Sequence, residues 1–309
     1  MTWAALIFGL LVAGFLAPFL IELRRPKVDK AARAASNGKL ARLSQGITHF
    51  RWHSGKARGP VAICVHGLTT PSFVWDGVAD ELEILGYRVL SYDLFGRGLS
   101  DRPAAPQNRD FFVRQLEELI KHEGIKEDIT LIGYSMGGSI ATCYAAKNPH
   151  MLRRLVLIAP AGMGLSRSAL DRFMIGAPLI GDWLFRVVFP GRHRRAARRL
   201  QRDHGVSEAI TNAQAAQVEY RGYLPAVLSS YRRILSETLE AEHREIAHAG
   251  IPVTGIWATA DQTIPLANMG RLTAWNREAV QTQILGATHW LPITHPREVV
   301  RAFRDAVHR

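Results

Sequence analysis

Cysteine is almost missing from this chain of 309 residues: Cys64 and Cys143 stand alone, each inside an apolar segment. Neither belongs to a C-x-x-C pair, so two unpaired buried thiols are expected in place of a disulfide. No H-E-x-x-H run occurs either, and neither a metal nor another cofactor is expected. Acidic residues are few beside basic ones, 27 against 39, for a net charge of +12 and an isoelectric point near 10.2. Such a surplus favours anionic surfaces, nucleic acid or acidic lipid. With no zinc-finger spacing and no RNP-like aromatic segment, nucleic acid is not an expected partner. Internal repeats and low-complexity tracts are absent as well.

What is present begins with "WAALIFGLLVAGFLAPFLI", Trp3 to Ile21, a run without a charge. At about 1.5 Å per residue it nearly matches a bilayer core of roughly 30 Å. A cleaved signal peptide would carry a basic start and a small-residue cleavage site, and "FLIELRRPK" offers none. A core helix would show a polar face, and this run has none. The expectation is a single-pass N-terminal anchor over residues 1–23. Arg24, Arg25, Lys27, Lys30 and Arg33 follow it, which by the positive-inside rule puts the remainder on the cytoplasmic side. Residues 24–46 read as a basic juxtamembrane linker.

From "ITHFRWHS" (Ile47 to Ser54), read as a strand ending in the turn-rich "GKARGP", short apolar runs alternate with amphipathic segments. Strands are predicted at Val61–Val65, Tyr87–Asp93, Ile129–Tyr134, Leu152–Ala159, Val253–Ala258 and Val280–Leu285. Helices are predicted at Ser72–Leu85, Arg109–His122, Met136–Lys147, Pro265–Asn276 and Pro296–Val307. This rhythm is the mark of an α/β fold, a mostly parallel sheet with helices on both faces. It breaks once, where residues 163–249 form a long helical insertion, the expected cap or lid. The core is then 47–162 together with 250–309.

In an open parallel sheet, ligands bind beyond the carboxyl ends of the strands. "HGLTT" begins right after Val65, Ser135 follows Tyr134, Asp261 follows "IWATA", and His289 lies four residues past Leu285. All of them fall at strand exits. "GYSMGG" resembles the G-x-S-x-G nucleophile elbow of the α/β-hydrolase superfamily. "HGLT" is similar to that family's oxyanion loop, "DLFGRGLSD" to its D-x-x-G-x-G-x-S loop, and "ATADQTIP" and "GATHW" to its acid and histidine segments. The chain order Ser, Asp, His is the family's order, and the resemblance covers about Ile47 to the end, leaving the N-terminal run and much of the insertion outside it.

The resemblance implies the α/β-hydrolase fold and a catalytic triad of Ser135, His289 and Asp261. A serine hydroxyl needs a base to take its proton during attack, an imidazole titrates near the working pH, and a carboxylate fixes the imidazole tautomer. By family position the backbone amides of Leu68 and Met136 are the oxyanion donors. Phe73, Trp75, Tyr134 and Trp290 are expected to line an apolar pocket beside the serine. Several neighbours read as structural: Asp93 as the organiser of the "FGRGLS" loop, His66 as a loop brace, His295 as a helix-entry residue, Ser139 as packed. The family's epoxide hydrolases and haloalkane dehalogenases carry an aspartate at the elbow, so Ser135 implies acyl transfer, with ester hydrolysis first and C–C hydrolysis as its rival. A catalytically silent binding module that docks a partner through the lid has no need of three triad residues.

Between Arg186 and Arg202 the lid holds seven arginines and no acid. Arg194, Arg195, Arg198, Arg199 and Arg202 are read as one helical face, which beside "PLIGDWLFRVVF" suits contact with anionic headgroups. An anchored hydrolase with such a lid is similar in layout to membrane-bound monoacylglycerol lipases, and implies a lipid acyl ester as substrate.

Overall fold

The computed structural model describes residues 3–53 and 58–307. Among them, one sheet holds β1 (Lys39–Leu43), β2 (Gly46–Trp52), β3 (Val61–Val65), β4 (Arg88–Tyr92), β5 (Ile129–Tyr134), β6 (Leu152–Ile158), β7 (Val253–Ala258) and β8 (Val280–Ile284). The spatial order is β1-β2-β4-β3-β5-β6-β7-β8. β3 to β8 run parallel, while β1 and β2 form an antiparallel edge.

Parallel strands covered on both faces must be apolar throughout. Ala62, Ile63, Cys64 and Val65 are fully buried in β3, and every residue of β5 and β7 is buried. The covering helices are amphipathic for the same reason. The first helices of the chain are α1 (Trp3–Arg24), α2 (Lys30–Ala34), α3 (Asp76–Ile84), α4 (Arg109–His122) and α5 (Met136–Lys147). In α4 the buried side is Phe111, Phe112, Leu116, Leu119 and Ile120, and the Asn108 side chain caps its start by accepting from Phe111 N at 3.0 Å. The insertion builds α6 (Ala169–Gly176), α7 (Ile180–His204), α8 (Glu208–Ala216), α9 (Tyr223–Arg232) and α10 (Glu240–His248). The chain then returns through β7, α11 (Asn268–Trp275), β8, α12 (Leu291–Thr294) and α13 (Pro296–Val307).

The stretch read as a linker differs from expectation. Lys39–Leu43 is not a tether but the outermost strand, paired with β2. Composition hides it: Ala41 alone is buried, while Lys39 and Arg42 are exposed, as suits a protected sheet edge. The β2 strand stops at Trp52, one residue before a bend at His53, while Ser54 and part of the predicted turn fall on residues 54–57, outside the described residues.

α1 is long and apolar enough to cross a membrane, and none of its apolar window is buried in the protein. Its later turns rest on the cap. Trp183 Nε1 donates to the Gly14 carbonyl at 3.2 Å, and the Arg186 guanidinium lies 4.6 Å above the Phe19 ring. Glu22 is buried, pairs with Arg25, and accepts from Gly222 N at 2.7 Å.

Candidate active site

β3 lies between β4 and β5, so successive crossovers leave it on opposite sides. Crossovers that diverge open a crevice at the strands' carboxyl ends, and here the crevice lies between the loops that leave β3 and β5. Ser135 is the first residue past β5, with φ 54° and ψ −119°, a conformation that costs energy in any residue with a side chain. The surroundings hold it there. Ser135 N donates to Ile158 O at 3.0 Å, and Ser135 O accepts from Gly138 N and Ala161 N at 2.9 Å each.

The flanking glycines are dictated by contact. A methyl on Gly133 would collide with Gly137 O, and one on Gly137 with Val65 O. A sharp strand-to-helix turn needs those approaches, which is why the serine sits among residues without side chains.

His289, on the loop after β8, places Nε2 3.0 Å from Ser135 Oγ and Nδ1 2.7 Å from Asp261 Oδ2. The second carboxylate oxygen, Oδ1, accepts from Thr263 N and Ile264 N at 2.7 and 2.9 Å, which fixes its plane. With Nδ1–H donating to the carboxylate, Nε2 is free to accept the serine proton. Tyr134 donates its hydroxyl to His289 O at 2.7 Å and carries the histidine loop on its ring.

Leu68 and Met136 flank the serine from two sides. Met136 opens α5, so its amide hydrogen has no partner within the helix. Leu68 follows Gly67, where a Cβ would stand 3.2 Å from Ser135 Cβ. Arg97 Nε donates to Leu68 O at 3.0 Å. Arg97 is completely buried, and burial pushes its guanidinium down to about 9. It also reaches Gln107 Oε1 at 2.6 Å and Ser230 Oγ, on α9, at 2.7 Å.

A cavity of about 170 Å³ adjoins Ser135, with Tyr134, His289 and Trp290 in its wall. Two of the expected lining residues lie elsewhere. Trp75 is fully buried beneath Tyr134, edge to ring at 6.4 Å, and supports the wall instead of forming it. Phe73 borders a separate space beside His49 and Asp93. The cap supplies Leu165, Tyr231 and Leu235 in their place, and Thr263 comes from the acid loop. No spacing rule ties those positions to Ser135; the packing of the insertion and of the acid loop brings them there.

The residues read as structural have partners that suit bracing. His66 accepts from Leu94 N at 2.9 Å and donates to Gly67 O at 2.7 Å, and burial pushes it down to about 4, so it stays neutral. His295 precedes α13, and its carbonyl accepts from Val299 N at 3.0 Å. Ser139 is completely buried in α5.

One arrangement has no motif to announce it. Ser36 Oγ lies 3.0 Å from His49 Nε2, and His49 Nδ1 lies 2.9 Å from Asp93 Oδ2. Here, however, the serine hydrogen is directed to Arg33 O at 2.8 Å. Asp93 also accepts from Ser72 N at 2.8 Å and Leu99 N at 2.9 Å. Burial pushes its carboxyl up, but the His49 hydrogen bond and charges outweigh it and hold the group well below the usual range. Asp93 is thus a junction that ties β2 to the segments at Ser72 and Leu99.

The five lid arginines do not share one environment. Arg194 pairs with Glu219, Arg202 bonds the adjacent Asp203 at 2.7 Å, and Arg195 and Arg199 border a groove that reaches His289.

Residues 60–296 match the family model of the alpha/beta hydrolase fold, and the chain belongs to that family. Epoxide hydrolase 3 of Xenopus tropicalis is 23% identical over 320 residues, covering 96% of this chain and 85% of that protein. Lipase 1 of Psychrobacter immobilis is 26% identical over 246 residues, covering 79% and 74%. Among solved structures, a membrane phospholipase A superposes with a TM-score of 0.71 at 19% identity, covering 100% of this chain and 98% of the other. Family and relatives make this chain a hydrolase.

Proposed function

We propose that this protein is a membrane-anchored serine hydrolase that cleaves carboxylic esters of lipids. The observation that carries the reading is the pair of distances at His289, 3.0 Å to Ser135 Oγ and 2.7 Å to Asp261. Ser135 Oγ attacks the ester carbonyl while its proton passes to His289 Nε2. The tetrahedral oxyanion rests on the amides of Leu68 and Met136. The intermediate collapses with cleavage of the C–O bond, and His289 returns the proton to the departing alcohol. Water, deprotonated by the same imidazole, then attacks the acyl-enzyme and releases the acid.

The likeness to an epoxide hydrolase does not carry over its chemistry. An alkyl-ester route needs a carboxylate at the elbow, and this chain has a serine there. Lipid as substrate is supported by the lipase relative and by the apolar surface around the anchor. Leu170, Phe173, Leu179, Ile180 and Val187 of the cap are exposed, on or beside the helix against which α1 rests. α1 then spans the bilayer, with the basic residues after it favouring a cytoplasmic catalytic domain. At about 170 Å³ the cavity is smaller than ordinary ligand sites, roughly 300–1,000 Å³, so a long acyl chain enters only as the cap shifts.

The test is fluorophosphonate labelling followed by assays on p-nitrophenyl esters and monoacylglycerols. Wild type labels and hydrolyses; Ser135→Ala does neither. A folded wild type that takes no label and cleaves no ester would refute the reading.

A further inference from the structure

The wall that His289, Trp290 and Thr263 give to the small cavity has a second side. The same three residues border a groove of about 650 Å³ that runs along the C-terminal half of α7. Its opposite bank carries Arg192, Arg195 and Arg199, spaced i, i+3 and i+7 so that all three share one side of the helix. Arg192 is held by Asp171 at 2.6 Å. Among the described residues Arg195 and Arg199 form no ion pair, and Arg199 meets a carboxylate only through the charge of Asp203. The one carboxylate that borders the groove, Asp203, already bonds Arg202 at 2.7 Å. Two guanidinium groups held in no ion pair among the described residues therefore stand over a space that ends at the imidazole.

Chemistry fixes which part of a substrate can lie there. His289 delivers its proton to the departing oxygen, so the alcohol leaves on the histidine side. The acyl group is left to the cavity walled by Leu165, Tyr231 and Leu235. Resting on the ester-hydrolase reading above, we infer that this groove receives the alcohol part of the substrate, and that this alcohol bears a phosphate ester. Forked guanidinium groups match phosphate oxygens in shape as well as charge. The substrate class is then an acylated glycerophosphate, not a neutral monoacylglycerol. This assigns Arg195 and Arg199 to specificity rather than to the bilayer surface.

The experiment uses the full chain in neutral detergent micelles, which remove any anionic bilayer. The substrates are a lysophosphatidylglycerol and a monoacylglycerol with the same acyl chain, and the readout is the ratio of their kcat/KM values. Wild type is expected to favour the phosphate ester. The double variant Arg195→Gln/Arg199→Gln, which keeps side-chain bulk, lowers the ratio by about 10- to 100-fold, the worth of one charge-assisted hydrogen bond. Arg198→Gln, which does not border the groove, leaves it unchanged. A ratio that does not move in the double variant, or a wild type that prefers the neutral ester, overturns the inference. Fluorophosphonate labelling is scored in every sample. Labelled enzyme with an unmoved ratio fails the groove alone, whereas unlabelled, folded wild type fails the ester-hydrolase reading beneath it.

Discussion

Arg97 Nε donates to Leu68 O at 3.0 Å, and the same guanidinium reaches Ser230 on α9 at 2.7 Å. A peptide whose carbonyl is gripped in this way has its amide hydrogen fixed in direction as well. Arg97 is therefore a positioning residue for one proposed oxyanion donor, and it ties that donor to the cap. Arg97→Lys is expected to lower kcat about 10- to 100-fold with KM little changed, since a displaced donor is lost chiefly in the transition state. Steady-state kinetics on a p-nitrophenyl ester measures it; a rise confined to KM would assign Arg97 to binding instead.

Among the described residues two Ser–His–Asp sets exist, and one substitution in each tells them apart. Ser36→Ala should keep fluorophosphonate labelling, because Ser36 directs its proton to Arg33 O and lacks the strained elbow. Ser135→Ala should abolish it. Labelling that survives at Ser36 in the Ser135 variant would make the Asp93 junction reactive.

The role proposed for Asp261 is tautomer control. Asp261→Asn keeps the shape of the site but reverses the hydrogen-bond roles around Nδ1 of His289. A fall in kcat of about 10,000-fold is expected, with the unfolding transition unaltered. A fall below about tenfold would mean that another group orients the imidazole.

Acid should destabilise the fold through its buried histidines. Burial pushes His66 and His243 from 6.5 down to about 4. The unfolded chain takes up these protons below pH 6.5, while the folded chain refuses them until about pH 4. Stability is thus complete above pH 6.5 and declines as pH falls through that window. Neither ring nitrogen of His243 has a hydrogen-bond partner among the described residues, and its ring stacks on Trp275. His243→Phe should therefore flatten the decline by about one proton. Urea unfolding at a series of pH values decides it, and an unchanged slope would show that His243 is charged in the folded protein.

The proposed anchor is expected to be separable from the proposed site. A truncated chain that starts at Glu22 keeps that residue's bond to Gly222 N and loses most of the apolar helix. It should move from the membrane pellet to the supernatant and still take the fluorophosphonate label. Continued binding to vesicles would locate the attachment in the exposed apolar side chains of α6 and α7.

What could be read in advance was local or periodic. The Ile129–Tyr134 strand, the helices at 109–122, 136–147 and 296–307, and the glycines around Ser135 follow from side-chain alternation, helical repeat and steric limits within a few residues. Positions at strand exits were legible too, because parallel strands all end on one rim. The edge strand at Lys39–Leu43 was not, since a half-exposed edge with one buried alanine has the composition of a linker. Trp75 and Phe73 show the same limit from the other side: aromatic residues near a motif looked like pocket wall, and packing made one a support and moved the other away.

The sequence alone determined which backbone shapes each segment takes and which chemical groups stand at the rim, because covalent neighbours and period decide those. The tertiary structure decided which groups meet: His289 with Ser135, Arg97 with Leu68, two cap arginines with the far side of the imidazole. Those meetings join segments far apart in the chain, and only the packing of the sheet and cap sets distances between them.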